Sequence, residues 1–395
     1  MKKKLTKVLC MALVAALMLA CFAGCGGKSG GGTIKIGLLG PHTGDYAVYG
    51  LAVRNGAQLY FDKVNAAGGI NGKQIETVVY DHKGDSTEAV TAFNRMVDQD
   101  GITALLGDVL SGNTIVVVGE ASPVNMPVIT PSATAQAVTV NETTGEVYSN
   151  VFRTCFIDPF QGEKMASYAA EKLGAKTAAV IYETGNDYSV GLKDAFKAIC
   201  GEKGVEIVGE EGYATGDVDF KAQLTNIMAA NPDVVFCPNY YQDDGLIITQ
   251  ARELGLTSTF LGGDGWDGVC DYASAEDLEG CYFCSGYAAG SADVAEFEAA
   301  YTAAYGTDTL NMFAATAYDA AMLLCAALEK AEASGSEPGS DEYKQAIIDA
   351  IPEVGSGIAG VTSKTGYTFD ENHNPIKQAS IMTVTGGVQT FVENY

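Results

Sequence analysis

The chain reads as an α/β protein built from two doubly wound parallel-sheet lobes. Three observations predict this. Short apolar runs alternate with amphipathic stretches, at about 25–35 residues per unit, as right-handed crossovers require. The alternation runs twice, with a break after Phe152-Arg153-Thr154. Several apolar runs are followed at once by Gly, Ser, Thr, Pro or Tyr, the loop chemistry of strand ends in a parallel sheet.

In the first run, residues 34–39 (IKIGLL) form a strand, 49–67 a helix closed by Gly68-Gly69, and 75–80 a second strand. Residues 86–98 are helical, capped by Asp85 or Ser86. Strands at 104–106 and 127–130 flank a helix at 114–121. The second run places helices at 158–173, 190–203, 220–230 (capped by Asp219) and 245–253. Its strands fall at 177–182, 206–211, 234–238, 259–261 and 280–286. Helices follow at 292–305, 316–333 and 341–351. The tail, 364–369 and 381–392, reads as β-structure with turns at 371–375 and Gly386-Gly387.

With 395 residues, 47% of them hydrophobic and 18% charged, the chain has a core sufficient for two or three domains. The net charge is −25, and the first 24 residues hold four lysines and no acid, so the remainder is more acidic still. Nucleic acid and anionic lipid surfaces both demand clustered Lys and Arg, and are excluded as partners. The same acidity serves solubility.

Residues 1–7 are basic and 8–23 apolar, the pattern of an export signal rather than a spanning helix. The run ends Phe22-Ala23-Gly24-Cys25-Gly26, which resembles the lipobox of bacterial lipoproteins. That resemblance implies cleavage after residue 24, a lipid on the Cys25 thiol and a flexible tether over 25–32. Cys21 is a second candidate in a poorer context, behind Met18 and Leu19. Seven of the ten cysteines lie beyond the tether. Cys281 and Cys284 resemble a CxxC pair, but in the expected strand they span roughly 10 Å and face opposite sides. That separation exceeds the reach of about 7 Å for a disulfide, so both are expected free.

Signals for chemistry are few. The three histidines, His42, His82 and His373, stand in no metal-type spacing. Gly37-Leu38-Leu39-Gly40 lacks the third glycine of a dinucleotide loop. Neither a nucleophile elbow nor a Walker loop occurs, and no carboxylate pair is singled out. No cofactor and no metal are expected. More informative are polar groups at strand C-termini, where open parallel sheets bind ligands. In the first half these are Ser111, Ser132 and Thr134, with Tyr46 and Tyr49 from the first loop. Ser111 and Gly112 begin a helix, whose unpaired N–H groups and dipole suit an anion such as a carboxylate. In the second half Tyr188, Tyr240, Asp264 and Trp266 follow strands. Each has a plainer reading: Ser111 as a helix cap, Asp264 as a turn former, the tyrosines as ordinary packing. Together, an anion grip facing a carboxylate with aromatics matches a zwitterion with an apolar side chain.

At this point a family resemblance is legible. IGLLGPHTGDYAVYG, FDKVNAAGGINGKQIETVVYDHKGD, LLGDVLSGNT, PVITPSAT, FRTCFIDPFQG and NYYQDDGLIITQARELGL with GGDGW resemble the leucine/isoleucine/valine-binding proteins of amino-acid ABC importers, in the type I periplasmic-binding-protein fold. The resemblance covers nearly the whole chain after Thr33. It implies that Ser111 holds a ligand carboxylate, that Ser132-Ala133-Thr134 meets the carboxylate and amine, and that Asp264 stands where the family has a Glu paired with the ammonium. It also implies that Tyr188 and Tyr240 are the second-lobe tyrosines that close over the ligand and that Tyr49 is the binding tyrosine of the first loop; Trp266 is kept as a site residue from its place after the strand. The family's cysteine before the binding Ser is Leu110 here, so the family disulfide is missing.

The implied lobes are discontinuous, 33–156 with 289–358 and 157–288 with 359–395, joined by crossings near 156–158, 285–290 and 355–366. The implied protein is a monomeric lipoprotein on the outer face of the cytoplasmic membrane, touching it through the anchor alone. It would close on a free amino acid by hinge motion and pass it to a permease and its ATPases, without chemistry. The alternative is a ligand-sensing module of the same fold for an amide or another small polar solute.

Overall fold

The computed structural model describes residues 32–395; the export signal, Cys25 and most of the tether lie outside the described residues. The first lobe is organised by β1 (Thr33–Gly40), α1 (Ala47–Ala66), β2 (Gln74–Asp81), α2 (Ser86–Arg95), β3 (Ala104–Leu106), α3 (Ser111–Ala121), β4 (Val128–Thr130) and β5 (Val151–Arg153). The second holds α4 (Asp158–Glu171), β6 (Thr177–Glu183), α5 (Asp187–Lys203), β7 (Glu206–Tyr213), α6 (Lys221–Ala230), β8 (Val234–Phe236), α7 (Tyr241–Glu253), β9 (Thr259–Gly262), α8 (Ala275–Leu278) and β10 (Tyr282–Ser285). Then come α9 (Ala295–Tyr305), α10 (Met312–Glu332), α11 (Asp341–Gly355) and the hairpin β11 (Ser380–Thr385)–β12 (Val388–Asn394).

The first sheet is wholly parallel in the order β2-β1-β3-β4-β5. The second repeats that winding as β7-β6-β8-β9-β10, with β11 and β12 added antiparallel at the edge. Its inner strands are apolar on both faces, as helix-covered parallel strands must be: Val234–Phe236 is entirely buried. In each sheet the winding reverses once, between β1 and β3 and between β6 and β8, and the crevices at those points face the same cleft. Open parallel sheets place ligand sites at such switch points.

Helix α10 is the long apolar helix of the chain, and it lies buried against α1, α11 and the first sheet. Close approach is possible because Gly56 of α1 has no side chain: a Cβ there would lie 2.1 Å from the Ala314 carbonyl oxygen.

Two expectations need correction. Residues 364–369 form no strand; an isolated bridge from Phe369 to Pro375 and an Asp370-centred turn, accepting from the N–H groups of Asn372 and Asn374 at 2.9 Å each, take their place. Residues 359–377, expected in the second lobe, pack on the first. Tyr367 donates to Asp319 of α10 at 2.7 Å, His373 stacks on Phe152 with ring centroids 4.3 Å apart, and Lys377 donates to the Thr154 carbonyl at 2.8 Å. The chain returns to the second lobe only at Ala379, because the polar groups of this segment find their partners in α10 and β5.

The seven described cysteines are free thiols, Cys281 and Cys284 among them.

Candidate functional site

Both lobes contribute loops from the C-terminal ends of their strands, and these loops enclose a small, tightly closed cavity. Its wall is made of Tyr49, Val109, Leu110, Ser111, Ser132 and Phe313 from the first lobe and Tyr188, Tyr240, Asp264 and Gly265 from the second. The lobes are closed on it. The Tyr49 hydroxyl donates to the Gly265 carbonyl and accepts from the Tyr241 N–H at 3.3 Å; Gln242 and Tyr241 donate across the cleft to the Asp45 carbonyl. On the hinge side Asp267 accepts the Met312 N–H at the start of α10, 2.6 Å away.

On the first-lobe side α3 begins at Ser111, and Leu110 offers no side chain to cap it, so the first-turn N–H groups are left for another acceptor. The Ser111 Oγ accepts from the Ala135 N–H at 3.2 Å, which leaves its own hydrogen free to donate. Ser132 donates to the Val109 carbonyl at 2.8 Å and ties the two loops together. Behind them lies a buried pair: His82 Nε2 stands 2.9 Å from Asp108, and His82 Nδ1 accepts from the Gly84 N–H at 3.1 Å. This pair fixes the Gly107–Leu110 turn that delivers Ser111.

On the second-lobe side Asn186 caps α5 by accepting from the Tyr188 N–H, which sets Tyr188 into the cleft. Tyr188 stacks on Tyr240 at 5.0 Å, and the edge of Tyr49 meets Tyr240 at 5.8 Å. Burial raises the pKa of all three phenols well above the ordinary value, so they act as neutral rings and donors. Asp264 opens a short turn after β9. One carboxylate oxygen accepts from Gln161 at 3.0 Å, while the other, Oδ2, is buried with no partner. Burial pushes the Asp264 carboxyl up to about 7, against the opposing hydrogen bond from Gln161. An ionised carboxylate held there demands a cation.

Of the expected site residues, Tyr49, Ser111, Ser132, Tyr188, Tyr240 and Asp264 meet in the cavity wall. Three do not line it. Trp266 is fully buried, donating its indole N–H to the Cys237 carbonyl at 2.8 Å and stacking on Phe283. The turn that aims Asp264 at the cleft aims Trp266 into the core, against Gly262, where a Cβ would sit 1.9 Å from the indole nitrogen. Ala133 is core, its carbonyl engaged by Arg153. Thr134 is fully buried beside the cavity, with its hydroxyl unpartnered.

Asp158 was read from sequence only as a helix start. Its two oxygens are buried without partners, and burial drives its carboxyl well above the ordinary range; Thr134 opposes this rise and the Asp264 charge adds to it. Thr134, Asp158 and Asp264 thus form one acceptor-rich corner. Asp-Pro at a crossing was the available signal, and the partner Asp264 lies too far along the chain for spacing to reveal it.

Residues 33–389 match the family model described as periplasmic binding protein. The Leu/Ile/Val-binding protein BraC3 of Rhizobium johnstonii is 33% identical over 83% of this chain and 87% of its own length. The crystal structure of a leucine-binding protein from Thermotoga maritima superposes with a TM-score of 0.82 at 32% identity, covering 92% of this chain and 98% of that one. The branched-chain amino acid transporter substrate-binding protein of Streptococcus pneumoniae, solved with isoleucine, gives 0.81 at 34% identity over 92% and 100%. The chain belongs to the periplasmic binding protein family.

Proposed function

We propose that this periplasmic binding protein holds a free branched-chain or other apolar amino acid between its lobes and delivers it to the permease of an ABC importer. The observation that carries the reading is the pairing of opposites across one closed cavity. Open helix N–H groups and the Ser111 hydroxyl stand on one side, and the unpartnered Asp264 Oδ2 stands on the other. An amino acid's carboxylate satisfies the first and its ammonium the second. Thr134 and Asp158, buried behind the wall, stand beside the Asp264 carboxylate without lining the cavity themselves. Val109, Leu110, Phe313 and the tyrosine rings leave an apolar surround for the side chain. The relatives named for leucine, isoleucine and valine support this ligand class.

The three crossings act as a hinge: an open form admits the ligand and the interlobe bonds of Tyr49, Tyr241 and Gln242 form on closure. The protein works as a monomer outside the cytoplasmic membrane, anchored through Cys25, and performs no chemistry. A thermal-shift panel of the free amino acids tests the ligand class; stabilisation by Leu, Ile or Val is expected, and no shift with any amino acid overturns the reading. Cys25→Ser should abolish lipid labelling, and labelling lost instead in Cys21→Ser would move the anchor.

A further inference from the structure

We infer that Arg153 is the positioning residue of the ligand loop, its buried guanidinium fork holding the two carbonyls that flank Thr134 and so aligning Thr134 and Ser111 for the amino acid; this rests on the function proposed above.

Arg153 ends β5 with a side chain wholly out of water. Nη1 donates to the Ala133 carbonyl at 2.9 Å, and Nη2 to the Ala135 carbonyl at 3.1 Å and to Thr139 Oγ1 at 3.0 Å. Nε has no partner. Among the described residues no carboxylate lies within ion-pairing distance, the 4.0 Å that defines the ion pairs found elsewhere in the chain. A buried guanidinium is ordinarily matched by a carboxylate, and one matched only by two carbonyls and a hydroxyl is an expensive choice for packing alone.

What the fork holds explains the choice. The fork pins the peptide group before Thr134 and the one after Ala135, and the Asp158 N–H, donating to the Thr134 carbonyl at 3.1 Å, pins the one between. The Ala133 carbonyl and the Thr134 N–H belong to one peptide group, and a cation on the oxygen strengthens the N–H as a donor. Ala135 in turn donates its N–H to Ser111 Oγ, which leaves the Ser111 hydrogen pointing elsewhere. One side chain therefore sets both loops and stands as fixed positive charge behind the donors. Loss of the fork displaces Thr134, and displacement of a positioning group by about 1 Å costs on the order of 100-fold.

The test is calorimetric titration of L-leucine and its des-amino analogue, 4-methylpentanoate, into the full chain. Arg153→Met is expected to weaken L-leucine roughly 100-fold and Arg153→Lys, which keeps the charge without the fork, roughly 10-fold or more. In both variants 4-methylpentanoate should also weaken, because its carboxylate uses Ser111, but L-leucine should weaken more, so that the affinity ratio of L-leucine to 4-methylpentanoate falls about three- to tenfold, only L-leucine using the amine corner beside Thr134. Thr139→Val leaves both carbonyl bonds in place and should leave the ratio unchanged. A merely structural Arg153 would weaken both compounds equally. An unchanged ratio in Arg153→Lys overturns the inference, whether or not Arg153→Met folds. If the wild type binds another amino acid in place of leucine, that compound and its des-amino acid form the pair; if it binds none, the functional reading itself falls.

Discussion

The two faces of the cleft are furnished differently. The first lobe presents helix N–H groups and small hydroxyls, held from behind by the His82–Asp108 pair and by Arg153, all within one lobe. The second presents phenols and a carboxylate, and it is joined to the first by bonds that cross the cleft, such as those of the first lobe's Tyr49 hydroxyl to the Gly265 carbonyl and the Tyr241 N–H. The first face keeps its supports within one lobe; the second depends on contacts between the lobes. Under the function proposed above, the ligand's carboxylate would meet the first face and its amine the second.

Removing the second face's charge should break this arrangement most severely. Truncating one member of a buried charged pair typically costs about 2–5 kcal/mol, so Asp264→Ala is expected to weaken amino-acid binding by roughly 30-fold or more. The amine-free analogue should be penalised much less in that variant than in the wild type. Calorimetry that finds equal penalties would remove Asp264 from the ammonium site.

Without ligand the same carboxyl gives a pH signature. Its pKa in the folded chain is raised from 3.8 to about 7, so the folded state holds a proton that the unfolded state has released. Stability from this group is full below about pH 4, falls as pH rises to about 7, and is level above that. Asp264→Asn lacks the slope and should gain about 2–4 kcal/mol over the ligand-free wild type at pH 8, with the gap closing near pH 4. Parallel unfolding curves for the two proteins across that range would contradict the burial argument.

Ser111→Ala sharpens the comparison from the other side. It removes one hydroxyl but none of the helix N–H groups, and a loss of about tenfold is expected, since hydrogen bonds to charged groups contribute about 1.5–3 kcal/mol. Tyr49→Phe should have the smallest effect, about three- to tenfold. Its loss should appear as faster ligand release, because the bonds removed belong to the closed state. Stopped-flow measurements that place the change in association would argue against that assignment.

The sheets were legible because helix-covered parallel strands are short apolar runs with loop residues at one end, a signal that survives in Ala104–Leu106 and Val234–Phe236. Helix beginnings were not. Helices α3, α5 and α7 start at Ser111, Asp187 and Tyr241, whereas apolar periodicity places them at 114, 190 and 245. A first turn is polar and uncommitted until its N–H groups find acceptors, and these first turns carry Ser111, Tyr188 and Tyr241. The binding chemistry therefore sits where periodicity is blind; the polar residues that follow strand ends located it, and the resemblance added their roles. Trp266 failed for a different reason: adjacency to Asp264 in sequence says nothing about which way a tight turn points each side chain. Asp158 and Arg153 were hidden because their meaning depends on residues far away in the chain or on carbonyls, which leave no mark in a sequence.

The discontinuity of the lobes also has a consequence for how the chain is made. The first sheet is finished at Arg153, but its covering helix α10 ends only at Glu332, and Tyr367, His373 and Lys377 seal it later still. The second sheet waits for β11 and β12, beyond residue 379. Neither core has all its pieces until those late segments have been made, so neither lobe corresponds to one continuous stretch that is complete early in synthesis. A chain ended after residue 305 should accordingly lack a cooperative unfolding transition, and a sharp one would show that the first lobe folds without its late pieces.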